Sequence, residues 1–172
     1  MKIVVLNGSA RRNGNTAAMV HAFRQGAEDV GHDVLVFPVA DMNIHGCRGC
    51  EYCHTKGDGA CIQEDDMQAI YQHWHDMDML VLASPIYYGS HSGQLSCALH
   101  RTYALDIPKK CTKTAMILSS GASGVYDAAL TIYRGFVQGY FHTQDMGVFT
   151  AVGSHAKSSE MQEKLYAFGR SL

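Results

Sequence analysis

Short apolar runs rich in β-branched residues alternate along the chain with longer stretches in which apolar residues recur every three or four positions. Short runs of this kind indicate buried parallel strands, and the periodic stretches indicate amphipathic helices. The predicted strands cover 3–6, 34–39, 79–83, 114–118 and 148–152. The predicted helices cover 16–30, 66–75, 93–105, 126–140 and 158–169, and Gly31 ends the first of them. This alternation predicts an α/β fold with a doubly wound, five-stranded parallel sheet and helices on both faces.

Residues 42–63 interrupt the alternation between the second predicted strand and the next helix. Glycines in this stretch argue against a continuous helix: Gly46, Gly49, Gly57 and Gly59. The same stretch holds four cysteines in a C-x2-C-x2-C-x7-C pattern: Cys47, Cys50, Cys53 and Cys61. We interpret 42–63 as a cysteine-rich insertion after strand two, whose order depends on a bound ion, a cluster or a partner.

The composition is that of a packed globular chain without a strong charge. Of 172 residues, 47% are hydrophobic, 17% are charged and 3 are prolines, so we expect one domain over 1–172. A formal net charge of −2 gives no electrostatic basis for binding nucleic acid or an anionic membrane. No apolar run approaches the roughly 20 residues that span a bilayer, and the first run is too short for a signal peptide. We therefore expect a cytoplasmic protein with reduced cysteines and with neither nucleic acid nor membrane as a partner.

The loop after the first predicted strand has the chemistry of a phosphate site. It reads N-G-S-A-R-R-N-G-N-T from Asn7 to Thr16. Its glycines allow a close backbone approach, and its hydroxyl, amide and guanidinium groups can donate hydrogen bonds beside a helix N-terminus. The candidate phosphate ligands are Ser9, Arg11, Asn15 and Thr16, and Asn13 and Ala17 are further candidate binding residues of this loop. Neither the P-loop pattern nor G-x-G-x-x-G is present, and an ordinary turn capped by Thr16 is the alternative.

The loops after the third and fourth predicted strands indicate a flat aromatic ligand. The first reads A-S-P-I-Y-Y-G-S over 83–90, and the second reads S-S-G-A-S-G over 119–124. Because the carboxyl ends of parallel strands meet at one edge of a sheet, these loops should adjoin the phosphate loop. Tyrosines offer a stacking surface, and a glycine lets main-chain N–H groups reach a ring's polar edge. The candidate ring ligands are Pro85, Ile86, Tyr87, Tyr88, Gly89, Ser120, Gly121 and Tyr126. A half-buried strand end and a solvated turn are the alternatives.

The ordered motifs resemble those of the flavodoxin-like NAD(P)H-dependent FMN reductases and, among them, the iron–sulfur flavoproteins. The matching pieces are G-S-x-R at 8–11, Asn15-Thr16, S-P-I-Y-Y-G-S and S-G-Q-L within 84–95, the cysteine pattern, and D-D-M at 65–67. The resemblance implies that the first loop holds the FMN phosphate and that the two later loops hold the isoalloxazine. In the helix after S-G-Q-L, where the family often has lysine and aspartate, this chain has Cys97, His100 and Arg101.

The cysteine spacing is similar to that of ferredoxin-type runs, which hold [4Fe–4S] clusters on closely spaced thiolates. The likeness to iron–sulfur flavoproteins implies the same role for Cys47, Cys50, Cys53 and Cys61. The seven-residue gap before Cys61 is longer than the ferredoxin spacing. Structural zinc, which usually takes two separated pairs of ligands, and free thiols are the alternatives.

The sequence thus predicts an FMN-dependent oxidoreductase that passes electrons from NAD(P)H to an unidentified acceptor, with or without a cluster. The cofactor supplies the chemistry, so no side chain is assigned a catalytic role. The alternative is a non-catalytic flavin or iron–sulfur electron-transfer protein, for which we would expect a strongly acidic docking face. A site built from loop tips, with apolar Tyr87 and Tyr88 beside it, predicts a homodimer or homotetramer.

Overall fold

A six-stranded sheet forms the centre of the computed structural model, which describes all 172 residues. Its five parallel strands are β1 (Lys2–Asn7), β2 (Asp33–Phe37), β3 (Met79–Tyr87), β5 (Lys113–Ser120) and β6 (Gln144–Val152). The two-residue strand β4 (Ser90–His91) runs antiparallel to the end of β3. Because β4 pairs with Ile86 and Tyr87, β3 continues beyond Ala83, where the sequence predicted its end.

The strand order is β2-β1-β3-β5-β6, which is the order of a flavodoxin-like doubly wound sheet. β1 pairs with β2 on one side and with β3 on the other, so the chain changes direction across the sheet after β2. A crevice therefore opens beyond the carboxyl ends of β1 and β3, where Asn7 is the register partner of Ala83. Ligands of doubly wound sheets bind at such a switch point.

Helices cover both faces of the sheet, as predicted. α1 (Asn15–Asp29) and α6 (Ser159–Arg170) pack on one face, while α3 (Met67–Trp74), α4 (Gly93–Arg101) and α5 (Asp127–Ile132) pack on the other. Each face has its own apolar core. Alternate residues of β1 point to opposite cores: Ile3 and Val5 to one, Val4 and Leu6 to the other. Burial on both faces explains why this strand is a continuous apolar run.

Several helix ends differ from the predicted bounds. The predicted helix 126–140 consists of α5 followed by a π-helical segment, Tyr133–Tyr140. The predicted helix 93–105 consists of α4 and a 3-10 turn, Thr102–Ala104, and a second 3-10 turn, Gly153–Lys157, follows β6. Gly31 ends α1 as predicted: its φ of +85° favours glycine, and its N–H donates to the carbonyl of Glu28 at 2.9 Å.

Residues 38–66 connect β2 to α3 and contain a single helical turn, α2 (Tyr52–Thr55). The carboxylate of Asp66 accepts a hydrogen bond from the N–H of Asn43 at 2.7 Å, which brings the two ends of this connection together. The interpretation of 42–63 as an insertion stays a prediction. None of the helices combines the length and apolarity needed to cross a lipid bilayer.

Candidate functional site

A cavity of about 390 Å³ lies at the carboxyl ends of the strands, beside the switch point. This volume is within the range of small-molecule sites, roughly 300–1,000 Å³. The loop after β1 and the first turn of α1 contribute Ser9, Arg11, Asn13, Gly14, Asn15 and Thr16. The ends of β3, β5 and β6 contribute Pro85, Ile86, Tyr87, Ser119, Ser120, Gly121, Gly153 and Lys157. The structure therefore brings three predicted loops to one cavity.

The loop after β1 is held in shape by its own hydrogen bonds. The N–H of Ser9 donates to Asn7 Oδ1 at 3.0 Å, and the N–H of Arg11 donates to Ser9 Oγ at 3.3 Å. The loop closes where the N–H of Gly14 donates to the carbonyl of Arg11 at 2.9 Å. A Cβ at position 14 would lie 2.8 Å from Arg11 Cβ, so this approach requires glycine.

The N-terminus of α1 is open toward the cavity. Gly14 is the N-cap residue, and no side chain caps the helix, so the N–H groups of the first turn are available to an anion. Thr16 does not cap the helix, contrary to the ordinary-turn alternative. Its hydroxyl instead lies 2.8 Å from Ser119 Oγ, and both groups are buried.

Two cationic side chains lie at this end of the cavity. Arg11 is exposed and forms no ion pair, whereas its neighbour Arg12 pairs with Asp41 at 2.9 Å and does not line the cavity. Lys157 Nζ donates to the carbonyl of Asn13 at 2.8 Å, just before the N-cap of α1. Together with the positive end of the helix dipole, these groups favour a bound anion.

Four lining residues were not among the predicted ligands: Gly14, Ser119, Gly153 and Lys157. Gly153 and Lys157 could have been predicted from the sequence, because they follow the fifth predicted strand. The carboxyl end of that strand lies at the same sheet edge as the phosphate loop. Asn15 Nδ2 donates to the carbonyl of Gly153 at 2.7 Å, which joins this corner to the phosphate loop. Ser119 begins the 119–124 loop, which was already predicted to border the ligand.

The end of β3 forms the other wall of the cavity. Its direction is set by the short hairpin with β4 and by Ser84 Oγ, which accepts a hydrogen bond from the N–H of Ser92 at 2.8 Å. Ser92 Oγ in turn caps α4 by accepting from the N–H of Leu95 at 3.3 Å. Tyr87 is 50% exposed at the cavity edge, which leaves an aromatic surface open to a ligand.

Four predicted ligands do not line the cavity: Ala17, Tyr88, Gly89 and Tyr126. Ala17 lies in the first turn of α1, where its backbone N–H has no intrahelical partner. Tyr88 and Gly89 form the turn between β3 and β4, and their φ values are +49° and +79°. The Tyr126 hydroxyl lies 2.6 Å from Ser120 Oγ, so this tyrosine supports a residue that does line the cavity. The cofactor roles of these four stay predictions.

The four cysteines of 42–63 line a second, smaller cavity: Cys47, Cys50, Cys53 and Cys61. Cys47 and Cys50 are exposed, Cys61 is half-buried, and Cys53 is buried. Burial raises the pKa of the Cys53 thiol. No group of three or more His, Cys, Asp or Glu side chains has an arrangement that could hold a metal ion. Tertiary structure thus gathers the predicted thiols without setting them in a metal-binding geometry.

Comparison with known proteins shows which protein family this chain matches along most of its length. A family model described as NADPH-dependent FMN reductase matches residues 1–164. The chain belongs to this family. The predicted family resemblance is confirmed, and the family is one of oxidoreductases.

Individual relatives agree with the fold and family. An iron–sulfur flavoprotein of Methanocaldococcus jannaschii is 32% identical over 107 residues, which cover 62% of this chain and 54% of the relative. The chain spans about half the length of the curated relatives it matches. An NAD(P)H:quinone oxidoreductase from Methanothermobacter marburgensis has a TM-score of 0.73 at 15% identity, covering 99% of this chain and 93% of that one. An FMN-dependent NADH-azoreductase from Bacillus anthracis, in complex with FMN, has a TM-score of 0.67 at 11% identity, covering 99% and 96%. At these identities the structures show a shared fold.

Proposed function

We propose that this protein is an FMN-dependent oxidoreductase that passes electrons from NAD(P)H through the flavin to a second acceptor. The observation that carries the proposal is the single cavity at the switch point, which is lined by cationic Arg11 and Lys157 and by aromatic Tyr87. FMN has the matching chemistry, with a phosphate at one end and a flat ring at the other. Membership of the NADPH-dependent FMN reductase family supports the same cofactor and the same electron donor.

The phosphate of FMN would bind at the N-terminus of α1. The uncapped first turn supplies N–H donors, and Ser9 supplies a hydroxyl from a loop already held in shape. Arg11 and Lys157 both line the cavity and supply positive charge. Charge-assisted hydrogen bonds to phosphate are stronger than neutral ones, so this end would contribute most of the orientation.

The isoalloxazine would lie along the segment from Pro85 to Tyr87, with Ser120 and Gly121 at its other edge. When bound, FMN supplies the hydride-accepting and electron-donating chemistry. The chain would position the isoalloxazine ring. Because Tyr87 is half-exposed, one side of that ring would stay open to solvent. This division of labour accounts for a cavity without any paired acid and base.

We further propose that Cys47, Cys50, Cys53 and Cys61 hold an iron–sulfur cluster. Soft thiolates are the ligands that such clusters use, and all four thiols line one cavity, so the chemistry of the donor set fits the group. Without the cluster the four thiols do not form a metal-binding arrangement, so the segment would have to close around it. The likeness to iron–sulfur flavoproteins over 62% of the chain supports the assignment. A cluster, when bound, supplies one-electron transfer, which would connect the two-electron flavin to a one-electron acceptor.

The reductase proposal is tested on anaerobically purified protein loaded with FMN. Addition of NADPH or NADH should bleach the visible flavin absorbance, and a quinone or ferricyanide should restore it. Iron, acid-labile sulfide and zinc are measured on the same sample. Flavin that dithionite reduces but neither nucleotide reduces would contradict the reductase and favour a non-catalytic carrier. Full flavin reduction without iron or sulfide, even after reconstitution, would contradict the cluster alone.

A further inference from the structure

Arg101 is a buried charge at the edge of the cysteine cavity. It lies in the last turn of α4 and lines the cavity together with the four cysteines, and its side chain is 1% exposed. Its guanidinium forms a bidentate ion pair with the Asp65 carboxylate at 2.5 and 3.1 Å. Burial alone would lower the pKa of Arg101, but the hydrogen bonds to Asp65 and the nearby Tyr71 phenol raise it instead. Arg101 therefore carries a full positive charge beside the thiols.

The hydrogen bonds of Arg101 hold both ends of the cysteine segment. Nη1 donates to the carbonyl of His45 at 3.0 Å, just before the first cysteine. Nη2 donates to the carbonyl of Gln63 at 3.3 Å, just after the last one. With the two bonds to Asp65, the four N–H groups on these nitrogens are used. A guanidinium has five N–H groups, so one donor is left.

The remaining donor is Arg101 Nε, which is buried and has no hydrogen-bond partner. A buried N–H without a partner is unfavourable and uncommon in native proteins. Every other donor of the same side chain is paired, and the side chain borders the cavity of thiols. Thiolate and inorganic sulfide sulfurs both accept hydrogen bonds, and such bonds tune iron–sulfur clusters.

We propose that Arg101 is a positioning residue for the cluster: its Nε donates a hydrogen bond to a cluster sulfur, and its buried charge raises the reduction potential. This inference rests on the proposed cluster. One-electron reduction adds a negative charge to the cluster, and a nearby buried cation stabilises the reduced form more than the oxidised form. The Asp65 carboxylate reduces this effect but lies on the far side of the guanidinium, bonded to its Nη atoms.

The test is an anaerobic potentiometric titration of the reconstituted holoprotein, followed by electron paramagnetic resonance. Arg101→Lys keeps a charge but lacks Nε, so the cluster potential should fall below that of the wild type. A double variant, Arg101→Gln with Asp65→Asn, removes both buried charges without leaving either unpaired, and it should also lower the potential. Arg48→Lys is the matched control, because Arg48 lines the same cavity but is exposed. Its potential should equal that of the wild type.

Iron, sulfide and bound FMN per chain are measured for every variant. Arg101 variants with a full cluster at the wild-type potential would overturn the inference, as would an equal shift in Arg48→Lys. Loss of the cluster from both Arg101 variants, with flavin binding intact, would also overturn it, since Arg101 would then only hold the segment. A wild-type chain that takes up no iron or sulfide would overturn the inference together with the proposed cluster. Flavin reduction by NAD(P)H, measured separately, would still decide the reductase proposal.

Discussion

The hydroxyl of Thr16 lies 2.8 Å from the hydroxyl of Ser119, although the two residues are 103 positions apart in the sequence. Thr16 is 1% exposed and Ser119 is 5% exposed, so little water competes for either group. The contact joins the first turn of α1 to the end of β5. It therefore sets the spacing between the loop that would bind the phosphate and the loop that would border the flavin ring.

Removing one of these hydroxyls should destabilise the fold, because the other is left buried without a partner. Thr16→Val and Ser119→Ala should each lower the free energy of unfolding by about 1–3 kcal/mol. The double variant should cost less than the sum of the single variants, because no orphaned hydroxyl remains. Urea unfolding of the four proteins measures this coupling. Strictly additive losses would contradict the contact.

Arg11→Ala should weaken FMN binding by about 1.5–3 kcal/mol, roughly 10- to 150-fold in Kd, because a charged hydrogen bond to the phosphate is lost. Arg12→Ala is the matched control, since Arg12 pairs with Asp41 outside the cavity. Riboflavin has no phosphate, so its affinity should be the same in both variants and the wild type. Fluorescence titration with both flavins measures the effect. Equal affinity of Arg11→Ala and Arg12→Ala for FMN would remove Arg11 from the phosphate site.

Lys157→Met should weaken FMN binding by a smaller amount, about 1 kcal/mol, because the Lys157 ammonium already donates to the Asn13 carbonyl and would contribute mainly a charge that solvent screens. The difference from the wild type should shrink as ionic strength rises, since salt screens an exposed charge. Lys164→Met in α6 provides a control outside the cavity. A salt-independent difference would indicate that Lys157 acts by holding the carbonyl of Asn13 and not by its charge.

Acid should destabilise the protein in part through His91. This ring is 7% exposed in β4, and burial lowers its pKa, with His100 lowering it further. The unfolded chain, with a histidine pKa near 6.5, then binds the proton more tightly than the folded chain. Stability should therefore fall as the pH drops below about 6.5, until the pH passes the lower pKa of the folded state. His32 and His75, whose pKa values are also lowered by burial, contribute in the same direction.

His91→Gln should reduce the loss of stability between pH 7.5 and pH 5.5, values chosen to bracket the unfolded pKa of about 6.5. His21→Gln is the control, because His21 is exposed on α1. Urea unfolding at both pH values measures the difference. An identical pH dependence in both variants would exclude His91 as a source.

We predict that the protein is a homodimer or homotetramer in solution. Tyr103, Phe136 and Tyr140 are 47%, 39% and 47% exposed, and they line an apolar cavity of about 450 Å³. Apolar surface of this kind is favourable to cover with a second copy. Light scattering should give a mass above one chain, and Phe136→Asp should shift it toward the monomer, whereas Val30→Asp at the C-cap of α1 should not. A flavin-loaded wild-type monomer at micromolar concentration would contradict the prediction.

The alternation of the five parallel strands with helices, and the contents of the loops after β1, β3 and β5, followed from the sequence by itself. Runs such as Ile3–Leu6 are apolar at every position because both faces of the strand are buried, and this pattern is local. The parallel topology then brought the loops after β1, β3 and β5 to one edge. The cysteine pattern was equally local, since its members lie within 15 residues of one another.

Tertiary structure decided which side chains meet. Lys157 reaches the cavity because β6 takes its place at the sheet edge, whereas Tyr126 does not line the cavity and contacts Ser120, which does. Arg101 and Asp65 are 36 residues apart, and no periodicity links them. Packing of α4 against the connection between β2 and α3 buries both charges and requires them to pair, because a lone buried charge is far more costly than an exposed one. Local sequence encodes periodicity and turns, whereas burial and long-range pairing depend on neighbours that only the fold supplies.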